Sequence, residues 1–206
     1  MDEKLHRLYA QNRDPVAFLD ESYELHEGKT FYILASALVY PDFIPSTRDV
    51  LKTFYDGETM HAAPMYRRNE FESLRRAIAL VATQNDGMDV VVQAPVEPDD
   101  AHGWAARRKC LSFIAPLLHA EEGTTLFVLD SLATPAAEQH DRFTFGDLRK
   151  SGQIGRNVAE HHTRPSNEPL LGLPDLIAWS YRQRATRRSR EWFEPLTTHT
   201  RIHQLK

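Results

Sequence analysis

Two spacings of apolar residues alternate along the chain. Short continuous apolar runs stand at "VAFLD" (16–20), "TFYILASALV" (30–39), "MDVVVQA" (88–94) and "TTLFVLD" (124–130). Runs of this length, bounded by turn residues, predict buried strands. Between them Phe71, Leu74, Ile78 and Val81 recur three and four apart. That makes one apolar stripe and predicts a helix over 67–82. A second helix is expected over 104–119, with Trp104, Leu111, Ile114 and Leu118 facing inward and Pro116 disturbing its end. Residues 135–151 and 174–190 are read as helices, the latter with Pro174 in its first turn. "STRDVLKTFY" (46–55), after the breakers Pro41 and Pro45, predicts a short helix capped by Ser46 or Thr47. "RNVAEHH" (156–162) is a weaker strand candidate, residues 1–13 a charged lead-in with helical character, and the tail is left unclassified.

The polar segment "HEGKT" (26–30) centres on a glycine and is short, so it predicts a hairpin between the first two strands. Later strands and helices alternate. This order predicts one α/β domain with a mixed sheet flanked by helices over residues 16–190, preceded by the lead-in (1–15) and followed by the tail (191–206). Gly28-Lys29-Thr30 ends like a phosphate-binding loop, but the upstream glycines are missing and a turn precedes it, so it carries no such expectation.

Composition narrows the classes. With 206 residues and 41% hydrophobic content the chain supports one sizeable core. Its net charge of −4 argues against a general nucleic-acid coat while leaving room for a local basic groove. A single cysteine, Cys110, excludes an intrachain disulfide framework and a thiolate-cluster metal site. The charged N-terminus does not resemble a signal peptide, and the stretch "FYILASALVY" is too short to span a bilayer. A cytoplasmic protein with no membrane partner is the expectation.

Candidate chemistry concentrates on acids. Asp20 and Asp130 each close an apolar run, and Asp175 falls in the first turn of the last helix. Each has a plain alternative: Asp20 and Asp130 as turn residues, Asp175 as a complement to the helix dipole. If the three converge, their repulsion raises carboxylate pKa values unless a cation offsets it. Mg²⁺ or Mn²⁺, hard and oxygen-seeking, is the natural offset. Two such ions activate water and stabilise a leaving oxygen in phosphodiester hydrolysis. A fourth ligand is less defined. Glu70 flanks the apolar stripe, Glu72 is better placed to pair with Arg76, and Glu58 and His61 fall in the aperiodic "GETMHAAP". His161 and His162, adjacent in a strand, should point to opposite faces. Arg182, Arg184, Arg187, Arg188 and Arg190 crowd the last helix, as a phosphate-binding face or as a solvated one. Trp179 and Tyr181 fit packing better than base stacking.

Taken in order, "FLDES", "FYILASALV", "MHA", "LFVLDS" and "LLGLPDLIAW" resemble the domain of unknown function 3800 family, grouped with the ribonuclease H-like superfamily. The resemblance runs over about residues 16–185. It implies a ribonuclease H-like mixed sheet, with its first two strands antiparallel and later ones parallel. It also implies an acidic core of Asp20, Asp130 and Asp175, with Glu21 as an accessory acid and His61 at a polar position before the long helix. Tyr23 replaces the glycine of that family's D-E-S-G start, where it could crowd the site, and Pro174 replaces the alanine before Asp175. The third strand of such a sheet is either a stretch near Met60 or "MDVVVQA", and this choice decides whether the strands of Asp20 and Asp130 are neighbours. The function implied is a metal-dependent phosphodiesterase, a nuclease acting on DNA or RNA. The alternatives are a catalytically silent nucleic-acid- or protein-binding module on the same scaffold and a hydrolase of a small phosphorylated metabolite.

Overall fold

The computed structural model describes residues 3–26, 29–53, 60–84, 88–100, 102–132, 134–186 and 188–206, with backbone only at 24–26, 29 and 84. Glu58, Arg187, the centre of the "HEGKT" turn and the end of the helix expected over 46–55 lie outside these residues. Among the described residues six strands form one sheet: β1 (Val16–His26), β2 (Lys29–Val39), β3 (Asp89–Pro95), β4 (Leu126–Asp130), β5 (Ala159–Thr163) and β6 (Thr200–Gln204), in the order β5-β4-β1-β2-β3-β6. β1 and β2 pair antiparallel as a hairpin, and β2 pairs antiparallel with β3. β4 runs parallel to β1, β5 parallel to β4, and β6 parallel to β3. "MDVVVQA" therefore supplies the third strand, and the strands of Asp20 and Asp130 are neighbours.

The strands carry apolar side chains on both faces, so helices must cover both. Val16, Phe18, Ile33, Ala35, Val91 and Val128 face α4 (Phe71–Gln84) and α7 (Gly172–Ala185). Ala17, Leu19, Leu34, Val90, Val92, Phe127 and Leu129 face α5 (Trp104–Glu122) and α6 (Pro135–Lys150). The result is a helix–sheet–helix α/β sandwich. On the α7 side the remaining helices are α1 (Glu3–Gln11), α2 (Ile44–Thr53) and α3 (Ala62–Arg67), which bury Leu5, Ile44, Leu51, Ala62 and Met65 in the same core.

Several elements depart from the pattern-based expectation. The apolar run ends at Leu19, but the strand does not stop at Asp20; it continues to His26 because β2 remains hydrogen-bonded to it. The helix expected over 67–82 is α4 and starts later, at Phe71, because Arg67 ends the preceding helix α3. Asn69 adopts φ 61°, a left-handed conformation that Asn tolerates, and this breaks α3 from α4. α2 begins at Ile44, after a 3-10 turn at Pro41–Phe43, so neither Ser46 nor Thr47 caps it. Pro45 sits in its first turn, where a missing N–H costs nothing. α5 runs through Pro116 to Gly123, whose φ of 72° closes it. Trp104 is 37% exposed rather than inward, and stacks between His102 and His140. α7 spans Gly172–Ala185, so Arg188 and Arg190 lie beyond the helix. The tail is not structureless: Trp192, Phe193 and Leu196 are buried, and residues 200–204 become edge strand β6. Among the described residues no helix is long and apolar enough to cross a membrane.

Candidate active site

Strand alternation sets the site. Successive residues point to opposite faces, so Asp20 follows Phe18 toward α7 and Glu21 follows Leu19 toward α5. The parallel register pairs Leu19 with Leu129, after which β4 ends at Asp130. Asp130 continues the phase of Val128, on the same face as Asp20. At this point β1 keeps β2 on one side and loses β4 on the other. The two acids therefore stand where the sheet splits, Asp130 at the C-terminal end of β4 and Asp20 beside it midway along β1.

The third acid comes from above. α7 packs on β1 and β2 and carries Asp175 in its first turn. Gly172 makes this approach possible: a Cβ there would lie 2.5 Å from Met60 Cε and 3.2 Å from Met60 Cβ. With the start of α7 pressed on Met60, the following residues meet Asp175. The backbone N–H of Ala62 donates to Asp175 Oδ2 at 2.6 Å. His61, the N-cap residue of α3, lies beside it with extended backbone and no side-chain capping bond.

The electrostatics record the convergence. Burial raises the Asp20 carboxyl well above the ordinary range, and the charges of Asp175, Glu21 and Asp130 raise it further; the N–H of Glu21, 2.7 Å from Oδ1, partly offsets this. Asp130 is pushed up to about 6 by burial and then by Glu21, while a backbone hydrogen bond from Ser131 and the nearby His61 oppose the rise. Asp175 keeps some exposed surface, yet the atoms around its carboxyl remove most of its hydration and raise its pKa. The Ala62 N–H, His61 and Arg182 pull it back. The structure thus brings Asp20, Asp130, Asp175 and His61 together on one face.

Glu21 is placed differently. Its carboxylate reaches around the edge near Asp130, but Oε2 accepts a 2.6 Å hydrogen bond from Arg107 Nη1 on the α5 side. Arg107 is buried and forks onto Asp141, with Nε 2.8 Å from Oδ1 and Nη2 2.8 Å from Oδ2. Its Nη1 also donates to Tyr32 Oη at 2.6 Å, and His162 Nε2 lies 2.8 Å from Asp141 Oδ2. Although burial alone would push the Asp141 carboxyl up, His162 and Arg107 hold it below its ordinary value. The pattern in the chain missed this group. A signal was there: Arg107 falls on the stripe of Leu111, Ile114 and Leu118, and Asp141 on that of Phe145 and Leu148. A charge inside an apolar stripe needs a buried partner.

Other candidates fall away from the edge. Glu70 pairs with Arg68 at the surface. Tyr23 does not crowd Asp20, since alternation turns it to the opposite face against Tyr32 and Gly103. His161 and His162 point to opposite faces, as adjacent strand residues must, with His162 on Asp141. Trp179 and Tyr181 are core residues.

The donor set is chemically suited to a hard divalent cation: carboxylates only, all three raised by burial, and Asp20 and Asp130 raised further by neighbouring acids. It is not a preassembled cage. Among the described residues no group of three or more His, Cys, Asp or Glu side chains is placed to hold one ion. No protein-family model matches the chain, and no curated protein matches it.

Proposed function

We propose that this protein is a Mg²⁺- or Mn²⁺-dependent phosphodiesterase, a nuclease on a ribonuclease H-like scaffold. The observation that carries the reading is the delivery of Asp20, Asp130 and Asp175 by β1, β4 and α7 to one face of a split sheet edge, with raised carboxyl pKa values. A fold gains nothing from gathering like charges, so their convergence calls for a positive partner. The mixed sheet, with its first two strands antiparallel and β4 and β5 parallel to β1, is compatible with a ribonuclease H-like scaffold and is not specific to it.

In this reading Asp20 and Asp130 are the primary carboxylates, Asp175 completes the set and Glu21 is accessory. The bound ion supplies water activation and neutralises charge developing on the phosphate. The chain's own part is placement. β1 and β4 fix Asp20 and Asp130 on rigid backbone, the Ala62 N–H orients Asp175, and His61 stands at the rim to meet the leaving oxygen. Further along α7 lies an open cavity of about 480 Å³ lined by Arg184, Ala185, Arg190, Glu194 and Thr197. Asp175 and Arg184 are separated by about 14 Å of helix. Nine residues are about two and a half turns, so this opening lies on the opposite side of α7 from Asp175, and nucleic acid as substrate rests on the family resemblance.

The test compares wild type with Asp20→Asn, Asp130→Asn and Asp175→Asn on single- and double-stranded DNA, RNA and a hybrid, with Mg²⁺ and Mn²⁺. The expected outcome is metal-dependent cleavage by wild type and loss of at least about 100-fold in each folded variant. Retained cleavage in Asp20→Asn and Asp130→Asn rejects this edge as the source. The second reading, a catalytically silent binding module, is favoured by the lack of a preassembled three-ligand group among the described residues. Nucleic-acid binding without cleavage under either metal would establish it.

A further inference from the structure

After α7 the chain turns back on itself. The backbone N–H groups of Arg188 and Ser189 both donate to the Gln183 carbonyl, at 3.1 and 3.2 Å, and the Thr186 N–H and hydroxyl donate to the Arg182 carbonyl, each at 2.9 Å. The segment that follows is anchored in the core by Trp192, Phe193 and Leu196. Between the end of α7 and this returning segment lies the open cavity of about 480 Å³, with Arg184, Arg190, Glu194 and Thr197 on its walls. Its size is within the range of small-ligand sites. The Arg184 guanidinium stands over the ring of Phe193, 5.3 Å from the centroid, a contact that holds its head group. The Thr197 hydroxyl is fixed by donating to the Phe193 carbonyl at 3.2 Å.

The charges on these walls are not matched from within the protein. Elsewhere on the surface Arg68 pairs with Glu70, Arg108 with Asp147, Arg142 with Glu138 and Arg201 with Glu121. Among the described residues neither the Arg184 nor the Arg190 guanidinium forms a salt bridge or a hydrogen bond, although Glu194 lines the same cavity. A cation at a helix C-terminus is ordinarily drawn to the last carbonyls. Here backbone and hydroxyl donors already cap those carbonyls.

We infer that this cavity binds a small phosphoester carrying hydroxyl groups, a nucleotide or a sugar phosphate. Arg184 and Arg190 supply guanidinium N–H donors, whose fork matches phosphate oxygens. A phosphomonoester offers both of them charged oxygens, since it carries close to two negative charges at neutral pH. Glu194 adds an acceptor that suits a sugar hydroxyl. Its carboxylate also selects against a continuous nucleic-acid strand, whose next phosphate it would repel. The site is separate from the acidic edge. It lies on the other side of α7 and needs no cation, so it stands whether or not that edge binds metal.

The test is titration calorimetry on the full chain in a chelator, with ribose 5-phosphate, adenosine 5′-monophosphate, inorganic phosphate and a short single-stranded oligonucleotide without terminal phosphates as probes. Arg184→Gln and Arg190→Gln are each expected to weaken both phosphoesters about 10- to 100-fold, the range for a hydrogen bond to a charged group. Glu194→Gln is expected to weaken them about 5-fold or more while leaving inorganic phosphate unchanged. Arg108→Gln, which removes the same charge from the α5 side of the sheet, and Asp20→Asn are expected to bind as wild type does. Tighter binding of the nucleotide than of ribose 5-phosphate upholds the site as a nucleotide site, and equal binding upholds it as a sugar-phosphate site. Binding of neither phosphoester at millimolar concentration overturns the proposal. An equal loss in Arg108→Gln marks general attraction between charges, and a loss in Asp20→Asn moves the ligand to the acidic edge; both overturn it. So does oligonucleotide binding as tight as that of the monophosphate and lost in the same variants, because the occupant is then a strand. Circular dichroism checks the fold of each variant. If Arg184→Gln does not fold without its contact to Phe193, Arg190→Gln carries the same comparison.

Discussion

Asp130 shows the chemistry of the edge in one residue. Its carboxyl is raised from 3.8 to about 6 in the folded protein. Between about pH 4 and pH 6 the unfolded chain has already lost this proton while the folded protein keeps it, so folding stability falls as pH rises through that window and stays lower above it. The cost at pH 7 is about 2–3 kcal/mol without metal. Urea unfolding in a chelator is expected to show this fall in wild type and a flatter profile in Asp130→Asn, with the variant more stable at pH 7. Equal slopes in the two proteins would refute it. Asp20→Asn carries a companion expectation. It relieves repulsion and raises metal-free stability by about 1 kcal/mol or more, and it removes the melting-temperature gain that millimolar Mn²⁺ gives wild type. A full Mn²⁺ shift in Asp20→Asn would show that the ion binds elsewhere. The acids were legible in the sequence because each ends an apolar run or opens a helix. Arg107 and Asp141 are hidden in the sequence because each interrupts a helical stripe whose period is carried by its apolar members.

At the scale of elements, the start of α7 is held from two directions. Gly172 lets it lie against Met60. Gly172→Ala brings a methyl into Met60 and is expected to cost about 1–3 kcal/mol, typical of overpacking. It should also loosen the Ala62–Asp175 hydrogen bond, read as faster exchange of the Ala62 amide. Unaltered stability and exchange would mean that Met60 yields freely. From the other side, Glu168 is fully buried just before the 3-10 turn Pro169–Leu171 that leads into α7. It accepts from Arg48 of α2, Tyr9 of α1 and the backbone N–H of Leu170. Glu168→Gln leaves Arg48 without its countercharge and is expected to cost about 3 kcal/mol or more in chemical denaturation. A change under about 1 kcal/mol would show that water replaces the pair.

For the whole molecule, the sheet has two edges of different origin. One is β5, and the other is closed by β6 from the far end of the chain. β6 pairs with β3 over Asp89–Gln93, and Gln204 reaches Gln93 and Tyr181. Removing residues 200–206 bares the backbone of β3, a strand that is otherwise interior. The truncated protein is expected to lose several kcal/mol of stability and to associate through the open edge, as unprotected strands do. Unfolding curves and light scattering check both. A monomer of unchanged midpoint would make β6 dispensable.

The chain's own pattern determined the composition of the layers. Long apolar runs could only be strands covered on both faces, and the stripes at 71–81 and 111–118 could only be helices lying on them. Local backbone chemistry refined these limits within a few residues, as at Asn69 and Gly123. What the sequence could not determine was which elements are neighbours. The pairing of β1 with β4, the descent of Asp175 onto Asp20, and the passage of Arg107 behind the sheet to Glu21 each join residues separated by 86 positions or more. Such contacts leave no periodic trace in either partner. They arise only when the whole chain closes around one sheet, and there the summed burial of both faces outweighs the local cost of bringing like charges together.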